Sequence, residues 1–400
     1  MPVFSVVIPS YNNAEYLPKA LKSLSSQSFK DWEAIVVVDG SPDNAASVAR
    51  NLAASDCRIR VFEKLHNEGT HRARKTGVEE CTGTYSMFLD ADDEFRPEAF
   101  QMLYDVLSNQ DTDILHFGTE LFGENMSKDV CDNVLELCNR DLPTLKGEQI
   151  VRSSFTSDDE RRQDWRILQR VFKTSLLKRA FSLMSDARLG RGQDSYEWLV
   201  IASEAQTEIF RNDIVAYRYF LGRGITTFSP ISAEQFQHTA EAYASLIRES
   251  EQYASSFHRF DLLQYVQELQ VRLNESLIGD WDARVEDNDK ISALHLAGKF
   301  IARSDIAAEL MRIVRDHAYE QWCHPASSKS FDYIYWFDYA EKLAQGLPKT
   351  DRYLAFQQTA ERHITDIRNR EESITNKVTR KKHSALSRML LRLTRSNQSQ

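Results

Sequence analysis

The chain has 400 residues and 42% hydrophobic content, enough apolar material for the cores of two to three domains. Its formal net charge of −9 argues against a general nucleic-acid-binding protein, which would be basic. The five cysteines lack Cys-x-x-Cys spacing, so we expect neither a zinc site nor a disulfide framework. No leader-like segment precedes the first predicted strand, and no apolar run reaches the roughly eighteen residues of a membrane span. We therefore expect a cytoplasmic protein.

Strand-like and helical patterns alternate through the first hundred residues. β-rich apolar runs cover 3–8, 34–38, 59–62 and 87–89. A stripe of helical spacing follows the first run, at Leu17, Ala20, Leu21 and Leu24. Strands that alternate with helices of about ten to fifteen residues indicate βαβ units. The predicted fold class is therefore α/β, with a mostly parallel central sheet.

The run at 87–89 ends abruptly in three carboxylates, those of Asp90, Asp92 and Asp93. Like charges at a strand end are unfavourable unless a cation or a hydrogen-bonded ligand compensates them. Asp90 and Asp92 point the same way in an extended segment, which suits a hard divalent cation. Ligands bind beyond the carboxyl ends of parallel strands, so Tyr11 and Asp39 should converge with these aspartates. The alternative is a solvated acidic turn.

Four motifs in this order resemble the nucleotide-binding half of the family 2 glycosyltransferases, which have the GT-A fold. The last of the four is the family's Asp-x-Asp-Asp, which follows the fourth predicted strand. The matching segments are Pro9-Ser10-Tyr11-Asn12, Asp39-Gly40-Ser41-Pro42-Asp43, Asn67-Glu68-Gly69 with Ala73-Arg74-Lys75-Thr76-Gly77, and Asp90-Ala91-Asp92-Asp93. Two positions depart from the family pattern: Val38 stands where an acid is usual, and Lys75 where an asparagine is usual.

The resemblance implies a nucleotide-sugar donor site built from the first three motifs. It places Pro9 and Tyr11 against the nucleotide, with the Tyr11 ring offering a face for the base. It implies that Asp39 accepts a hydrogen bond from a base N–H. It also implies that Arg74 contacts the diphosphate, because a guanidinium fork matches phosphate oxygens.

The same resemblance implies that the aspartates hold a divalent metal ion. Asp92 and Asp93, with Asp90 nearby, would bind Mn²⁺ or Mg²⁺ and orient the ribose or sugar hydroxyls, so that Asp90 and Asp92 also belong to the donor site. A nucleotide sugar has a diphosphate leaving group with roughly two negative charges, which a cation neutralises as the glycosidic bond breaks. The expected cofactor is therefore Mn²⁺ or Mg²⁺.

The general base is expected at Asp194. The family has Gly-Glu-Asp followed by an aromatic residue here, whereas this chain has Gln193 before the aspartate and Trp198 one position later than usual. The alternative is that Asp194 caps a helix predicted at 195–202. Glu197 is the reserve candidate for the base. Arg223 either reaches the diphosphate or is a surface residue.

The remainder of the chain carries no family motif. Helical patterns cover 233–256, 258–280, 289–303, 305–323, 331–346 and 350–376. We therefore predict a catalytic domain at 1–230, a mainly helical domain at 231–376 and a basic tail at 377–400. The aromatic run at 331–339 is interpreted as helix core, with sugar stacking as the alternative.

The tail between 377 and 395 contains seven lysines and arginines. Leu386, Met389, Leu390 and Leu393 fall on one helical face, with most arginines elsewhere. This pattern predicts a helix that lies on an anionic membrane surface, so the protein would be peripheral on the inner face of the cell membrane. The alternative is a disordered basic tail.

Together these features predict an inverting, metal-dependent glycosyltransferase. The resemblance implies that the donor is a UDP-sugar and that the acceptor is a hydroxyl of a glycan or lipid-linked molecule in bacterial-type surface polysaccharide assembly. One alternative is transfer to a polyprenyl phosphate, and another is a catalytically inactive nucleotide-sugar-binding module. A nucleotidyltransferase would carry a glycine-rich basic loop after the first strand, where this chain has Tyr11-Asn12-Asn13.

Overall fold

The computed structural model describes residues 1–123, 126–156, 162–223, 229–325 and 331–396, and for 374–396 the backbone alone. The chain divides into two compact units. The first comprises Met1–Ile231 and Gln237–Leu273, and the second Ser232–Phe236 and Asn274–Gln400. The predicted class is confirmed: a mixed sheet flanked by helices is followed by a helical C-terminal region. The domain limits 1–230, 231–376 and 377–400 stay predictions.

Nine strands among the described residues form one sheet. Strands β3, β2, β1 and β4 lie side by side and are parallel, as the alternation of strands and helices in the sequence predicts. Beyond β4 the order continues β8, β6, β9, β5, and β8 runs antiparallel to both of its neighbours. The strands are β1 (Phe4–Ser10), β2 (Trp32–Asp39), β3 (Ile59–Lys64), β4 (Tyr85–Phe88), β5 (Glu94–Phe95), β6 (Ile114–Gly123), β7 (Leu145–Lys146), β8 (Arg170–Lys173) and β9 (Thr207–Leu221).

Helices separate the strands and make up the C-terminal region. Those of the sheet-bearing part are α1 (Leu17–Ser25), α2 (Ala45–Ser55), α3 (Thr70–Glu80), α4 (Ala99–Leu107), α5 (Lys128–Cys138), α6 (Glu148–Phe155), α7 (Thr174–Leu183) and α8 (Gln193–Glu204). The later ones are α9 (Ala233–Ser256), α10 (Leu263–Arg284), α11 (Lys290–Ala297), α12 (Arg303–Cys323), α13 (Tyr333–Ala344) and α14 (Asp351–Ser396). The later helices follow the predicted segments with ends shifted by several residues, except that α14 continues beyond its predicted end at 376 to Ser396.

The central strands are mostly apolar and are buried along their whole length, and the polar residues among them are Ser5, Ser10, Glu33 and Asp39. Every residue of β1 and of β2 is buried. Helix α3 packs closely on this sheet at Gly77, where an added Cβ would lie 2.4 Å from Cγ1 of Val7. A glycine is therefore required there, and it brings the polar side chains of α3 against the sheet edge.

The aromatic run at 331–339 is split between core and surface of the second unit. Trp336 is buried and packs edge-on against Trp281, with ring centroids 4.8 Å apart. Ile334 and Tyr335, on the same helix, remain exposed. Trp336 therefore has the predicted core role, while Tyr335 faces outward.

Helix α14 continues through the basic tail to Ser396. The apolar face predicted for 377–395 depends on side chains outside the described residues, so the membrane-surface interpretation stays a prediction. None of the described helices combines the length and the apolar character needed to cross a membrane. All five cysteines are free thiols.

Candidate active site

The polar turns after β1, β2 and β4 leave the sheet at one edge. These strands are parallel and in register, with Ser10 beside Val38 and Val7 beside Phe88. The turns that follow carry Tyr11, Asp39 and the aspartates after β4. The sheet therefore brings these sequence-predicted positions to one rim.

The turn after β1 is tied to the turn after β2. The Asn12 N–H donates to Oγ of Ser41 at 2.7 Å, and the Ala14 N–H donates to Asp43 at 2.9 Å. Asn12 has a φ of 56°, in the left-handed region that asparagine tolerates. Pro9 is buried within β1, whereas 46% of the surface of Tyr11 remains exposed. The Tyr11 ring is thus accessible to a ligand, and Pro9 shapes the strand end beneath it.

Asp39 holds the loop that leads into α3. Its carboxylate accepts hydrogen bonds from the backbone N–H groups of Glu68 and Gly69, the latter at 2.8 Å. The neighbouring Gly40 has a φ of +59°, and a Cβ there would lie 2.3 Å from the carbonyl carbon of His66. The two turns are therefore in direct contact. The predicted contact of Asp39 with a base N–H stays a prediction, because the carboxylate already has backbone donors.

Asp90, Asp92 and Asp93, hereafter the acidic cluster, each offer an oxygen within 4.8 Å of the others. Burial raises the pKa of Asp90 to about 6. Burial also raises the pKa of Asp93 well above its usual value, and the charges of Asp92 and Asp90 add to that shift. Carboxylate oxygens that repel one another fit a hard divalent cation, which would relieve the repulsion. The donor set thus suits Mn²⁺ or Mg²⁺.

The three carboxylates differ in burial and in the hydrogen bonds that they already accept from the protein. Asp93 is almost fully buried and accepts from the Tyr217 hydroxyl at 2.9 Å and from the Phe220 N–H at 2.8 Å. The Tyr217 hydroxyl in turn accepts from the Asp90 N–H at 3.2 Å. Asp92 accepts from its own backbone N–H, and burial raises its pKa. Asp90 and Asp92 are therefore the more open members, while Asp93 also anchors β9.

Asp194 lies in the first turn of α8 and does not cap it. The helix begins at Gln193, and the capping position belongs to Gly192, whose φ is +78°. The carboxylate of Asp194 accepts instead from the Arg74 guanidinium. Burial raises the pKa of Asp194, and Arg74 opposes that rise. The capping alternative is therefore wrong, because the glycine supplies the turn and leaves the carboxylate directed at Arg74.

Arg74 is the centre of a set of ion pairs that we call the Arg74 network, with Asp90, Asp194 and Glu197. Its Nη2 donates to Asp90 at 3.2 Å, and its Nη1 donates to Asp194 and, at 2.8 Å, to Glu197. The side chain of Arg74 is 1% exposed. Burial alone would lower the pKa of Arg74, but the three carboxylates raise it well above its usual value. The predicted diphosphate contact stays a prediction, and the structure gives this guanidinium other partners.

The sequence analysis missed His71, which is fully buried beside the network. Its Nδ1 lies 2.8 Å from Glu197 Oε1. Glu197 is also fully buried, so it cannot contact an acceptor and is excluded as the reserve base. A signal for His71 was present: His71, Arg74 and Val78 share the buried face of α3, where polar residues at helical spacing are unexpected.

Arg223 lies over the rim near the acidic cluster. Its guanidinium stacks 3.9 Å from the Phe220 ring centroid and 5.1 Å from that of Tyr16. Its Nη1 is 3.5 Å from the Asp92 carbonyl oxygen. Of the two predicted roles, this position fits the one in which Arg223 reaches a bound anion.

The N-terminal part of the chain is similar to known proteins. Residues 5–131 match the family model "Glycosyl transferase family 2". The uncharacterized glycosyltransferase EpsJ of Bacillus subtilis is 36% identical over 118 residues, 30% of this chain and 34% of that protein. The GalNAc(5)-diNAcBac-PP-undecaprenol beta-1,3-glucosyltransferase of Campylobacter jejuni is 38% identical over 104 residues, 26% of this chain and 34% of that protein. The chain thus spans about a third of the length of these relatives.

The fold extends further than the sequence similarity. A crystal structure of S. aureus TarS 1-349 in complex with UDP-GlcNAc superposes with a TM-score of 0.53. The match covers 90% of this chain and 92% of that chain at 18% sequence identity. At this identity the likeness concerns the fold alone.

Proposed function

Because residues 5–131 form a glycosyl transferase family 2 domain, we propose that this protein is a metal-dependent, inverting glycosyltransferase. It transfers a sugar from a nucleotide-sugar, a UDP-sugar, to a hydroxyl of a glycan or lipid-linked acceptor in surface polysaccharide biosynthesis. One observation carries the proposal. Asp90 of the acidic cluster and Asp194 of α8 are held by neighbouring nitrogens of the same Arg74 guanidinium. A metal-binding group and a base are thereby kept beside one another.

The nucleotide lies at the rim formed by the first two turns. Tyr11 offers an exposed ring for the base, and Pro9 supports it from β1. Asp39 holds the adjoining loop through Gly69 and faces the nucleotide with its remaining lone pairs. The structure of TarS, which shares the fold, contains UDP-GlcNAc, and this supports a nucleotide-sugar as the donor.

Asp92 and Asp93 would hold the divalent cation, Mn²⁺ or Mg²⁺, with Asp90 beside them, because the three carboxylates offer oxygens within 4.8 Å of one another. When bound, the cation neutralises charge on the departing diphosphate. Asp93 also keeps its bonds to Tyr217 and Phe220, so the cluster is anchored to β9. Arg223 lies over this rim and adds positive charge on the side of the leaving group.

Asp194 acts as the general base. It takes the proton from the acceptor hydroxyl as that oxygen attacks the anomeric carbon, in line with the departing nucleoside diphosphate. One displacement of this kind inverts the anomeric configuration. Arg74 holds the Asp194 carboxylate in a fixed orientation, and its own burial makes positioning the favoured role over direct phosphate binding.

The acceptor is assigned from the relatives and the tail. The matched Campylobacter protein has a PP-undecaprenol-linked glycan in its name, which supports a lipid-linked acceptor. The basic segment 377–395 would hold the enzyme at an anionic membrane, where such an acceptor lies. In this proposal the enzyme works at the cytoplasmic membrane surface.

A thermal-shift panel tests the proposal. UDP, GDP, CMP and dTDP are each added with and without Mn²⁺ to the full chain. UDP with Mn²⁺ should stabilise the protein by about 2.7 kcal/mol at roughly one hundred times its dissociation constant, and EDTA should remove the effect. Stabilisation by another nucleotide would contradict the UDP assignment, and stabilisation by none would contradict the donor site.

A further inference from the structure

His71 has hydrogen-bond acceptors at both of its ring nitrogens. Nδ1 lies 2.8 Å from Oε1 of Glu197, and Nε2 lies 3.1 Å from the backbone carbonyl oxygen of Ser185. His71 and Glu197 are both fully buried. The ring is enclosed by Phe181, which stacks on it, and by Tyr196, which meets it edge-on.

The proton count of this arrangement follows from elementary chemistry. A neutral imidazole has one N–H and one nitrogen lone pair. If His71 were neutral beside an ionised Glu197, a nitrogen lone pair would face an oxygen lone pair in a dry pocket, which is unfavourable. Two arrangements satisfy both contacts: a neutral ring that accepts from a protonated Glu197, or an imidazolium that donates one N–H to Glu197 and one to Ser185. Arg74 Nη1 donates to Oε2 of Glu197 at 2.8 Å, which favours an ionised Glu197 and therefore the imidazolium.

Within the Arg74 network carboxylates outnumber the guanidinium, and Arg166 adds positive charge near Asp194 but is not among the partners of Glu197. One guanidinium meets three carboxylates, those of Asp90, Asp194 and Glu197. Glu197 has no exposed surface, so its charge depends on protein partners. A positive charge at His71 balances Glu197 from the side opposite Arg74.

We propose that His71 is a positioning residue that acts as an imidazolium and holds Glu197 in place, so that Arg74 can orient Asp194. The positioning part rests on the proposed function, in which Asp194 is the base. Without the His71 charge, Glu197 turns wholly to Arg74 and draws the guanidinium away from Asp194. The base is then misplaced, while the nucleotide rim at Tyr11 and Asp39 keeps its contacts.

The protonation state is tested on the wild-type full chain by ¹⁵N NMR of histidine-labelled protein at pH 7.5. The signal of His71 among the ten histidines is identified by its loss in His71→Gln. Should that variant not fold, the identification uses the shift caused by Phe181→Leu, which removes the stacked ring. Both ring nitrogens should resonate as protonated nitrogens. A non-protonated signal from Nδ1 or Nε2 would overturn the proposal.

The positioning role is tested by UDP release from a UDP-sugar with Mn²⁺, using water as the acceptor. His71→Gln should lower kcat by about tenfold to a hundredfold, the cost of a misplaced catalytic group, with the donor KM within about twofold. His317→Gln is the matched control, because His317 also pairs with a carboxylate, that of Asp282 at 2.9 Å, in the second unit. It should retain wild-type kcat.

An unchanged kcat in folded His71→Gln would overturn the positioning role. A rise in donor KM with unchanged kcat would do so as well, since it would place His71 in donor binding. If wild-type protein neither binds UDP nor releases it, the proposed function fails, and with it the positioning role. The NMR measurement still decides the protonation state in that case.

Discussion

The Tyr217 hydroxyl donates a 2.9 Å hydrogen bond to Oδ2 of Asp93 and so fastens β9 to the acidic cluster. The same hydroxyl accepts from the Asp90 N–H at 3.2 Å. One side chain thus satisfies a buried carboxylate and a backbone donor within the same motif. The geometry of the proposed metal site therefore depends on a strand far along the chain.

Removal of this hydroxyl should lower the stability of the protein. Tyr217→Phe leaves a buried carboxylate oxygen and a backbone N–H without this partner, at a cost of about 1–3 kcal/mol. The free energy of unfolding is measured by urea titration. Tyr104→Phe is the control, since Tyr104 is partly exposed on α4, and it should unfold like the wild type. Equal stability of Tyr217→Phe and wild type would show that the bond contributes nothing.

The proposed metal site depends on Asp92. Asp92→Ala removes one of the more open carboxylates of the acidic cluster, so Mn²⁺-dependent stabilisation by UDP should be lost and transfer abolished. Isothermal titration of UDP with and without Mn²⁺ measures the first effect. Asp287→Ala, at an exposed position of the second unit, should bind as the wild type does. A folded Asp92→Ala protein with metal-dependent binding and full turnover would refute the assignment.

The base assignment is tested at Asp194. Asp194→Asn keeps the shape of the side chain but cannot accept the acceptor's proton, so turnover should fall by about 10²–10⁴ with little change in UDP affinity. Gly192 starts α8, so the helix should survive the change. Circular dichroism and UDP titration check fold and binding. Asp186→Asn changes an exposed aspartate paired with Lys75 and should keep full activity. Retention of most activity by Asp194→Asn would move the base elsewhere.

The raised pKa of Asp90 predicts a pH dependence of stability without metal. Burial raises this pKa from 3.8 to about 6, so the folded state binds more protons than the unfolded state between these values. Stability therefore falls as pH rises from about 4 to about 6, and the loss is complete above that range. Asp90→Asn cannot ionise, so the wild-type melting temperature should fall relative to that of the variant over this interval. Parallel melting curves would contradict the prediction.

The tail predicts binding to anionic membranes. Each basic residue near such a surface contributes about 1 kcal/mol, and seven lie between 377 and 395. The full chain should sediment with vesicles that contain anionic lipid, and much less with neutral vesicles or at high salt. A chain that ends at Thr375 should stay in the supernatant. Equal sedimentation of the two proteins would reject the membrane role.

Much of the fold and the rim could be predicted from local patterns. The alternation of β-rich runs and helices was enough for the parallel part of the sheet, and the family resemblance drawn from four motifs is confirmed over residues 5–131. Tyr11 follows β1, Asp39 is the last residue of β2 and Asp90 lies just beyond β4, so their common edge is a consequence of parallel pairing. Only near neighbours along the chain are needed for such inferences.

The tertiary structure alone decided what these side chains bind. The sequence resemblance predicts that Arg74 is a phosphate ligand, whereas in the structure it pairs with Asp194, 120 positions away. His71 meets Glu197 across 126 positions, and Asp93 meets Tyr217 across 124. No local pattern encodes such contacts. The first two arise because α3 packs against α8, and the third because β5, directly after Asp93, pairs with β9. Buried charges at these places must find partners or lose their solvation without compensation.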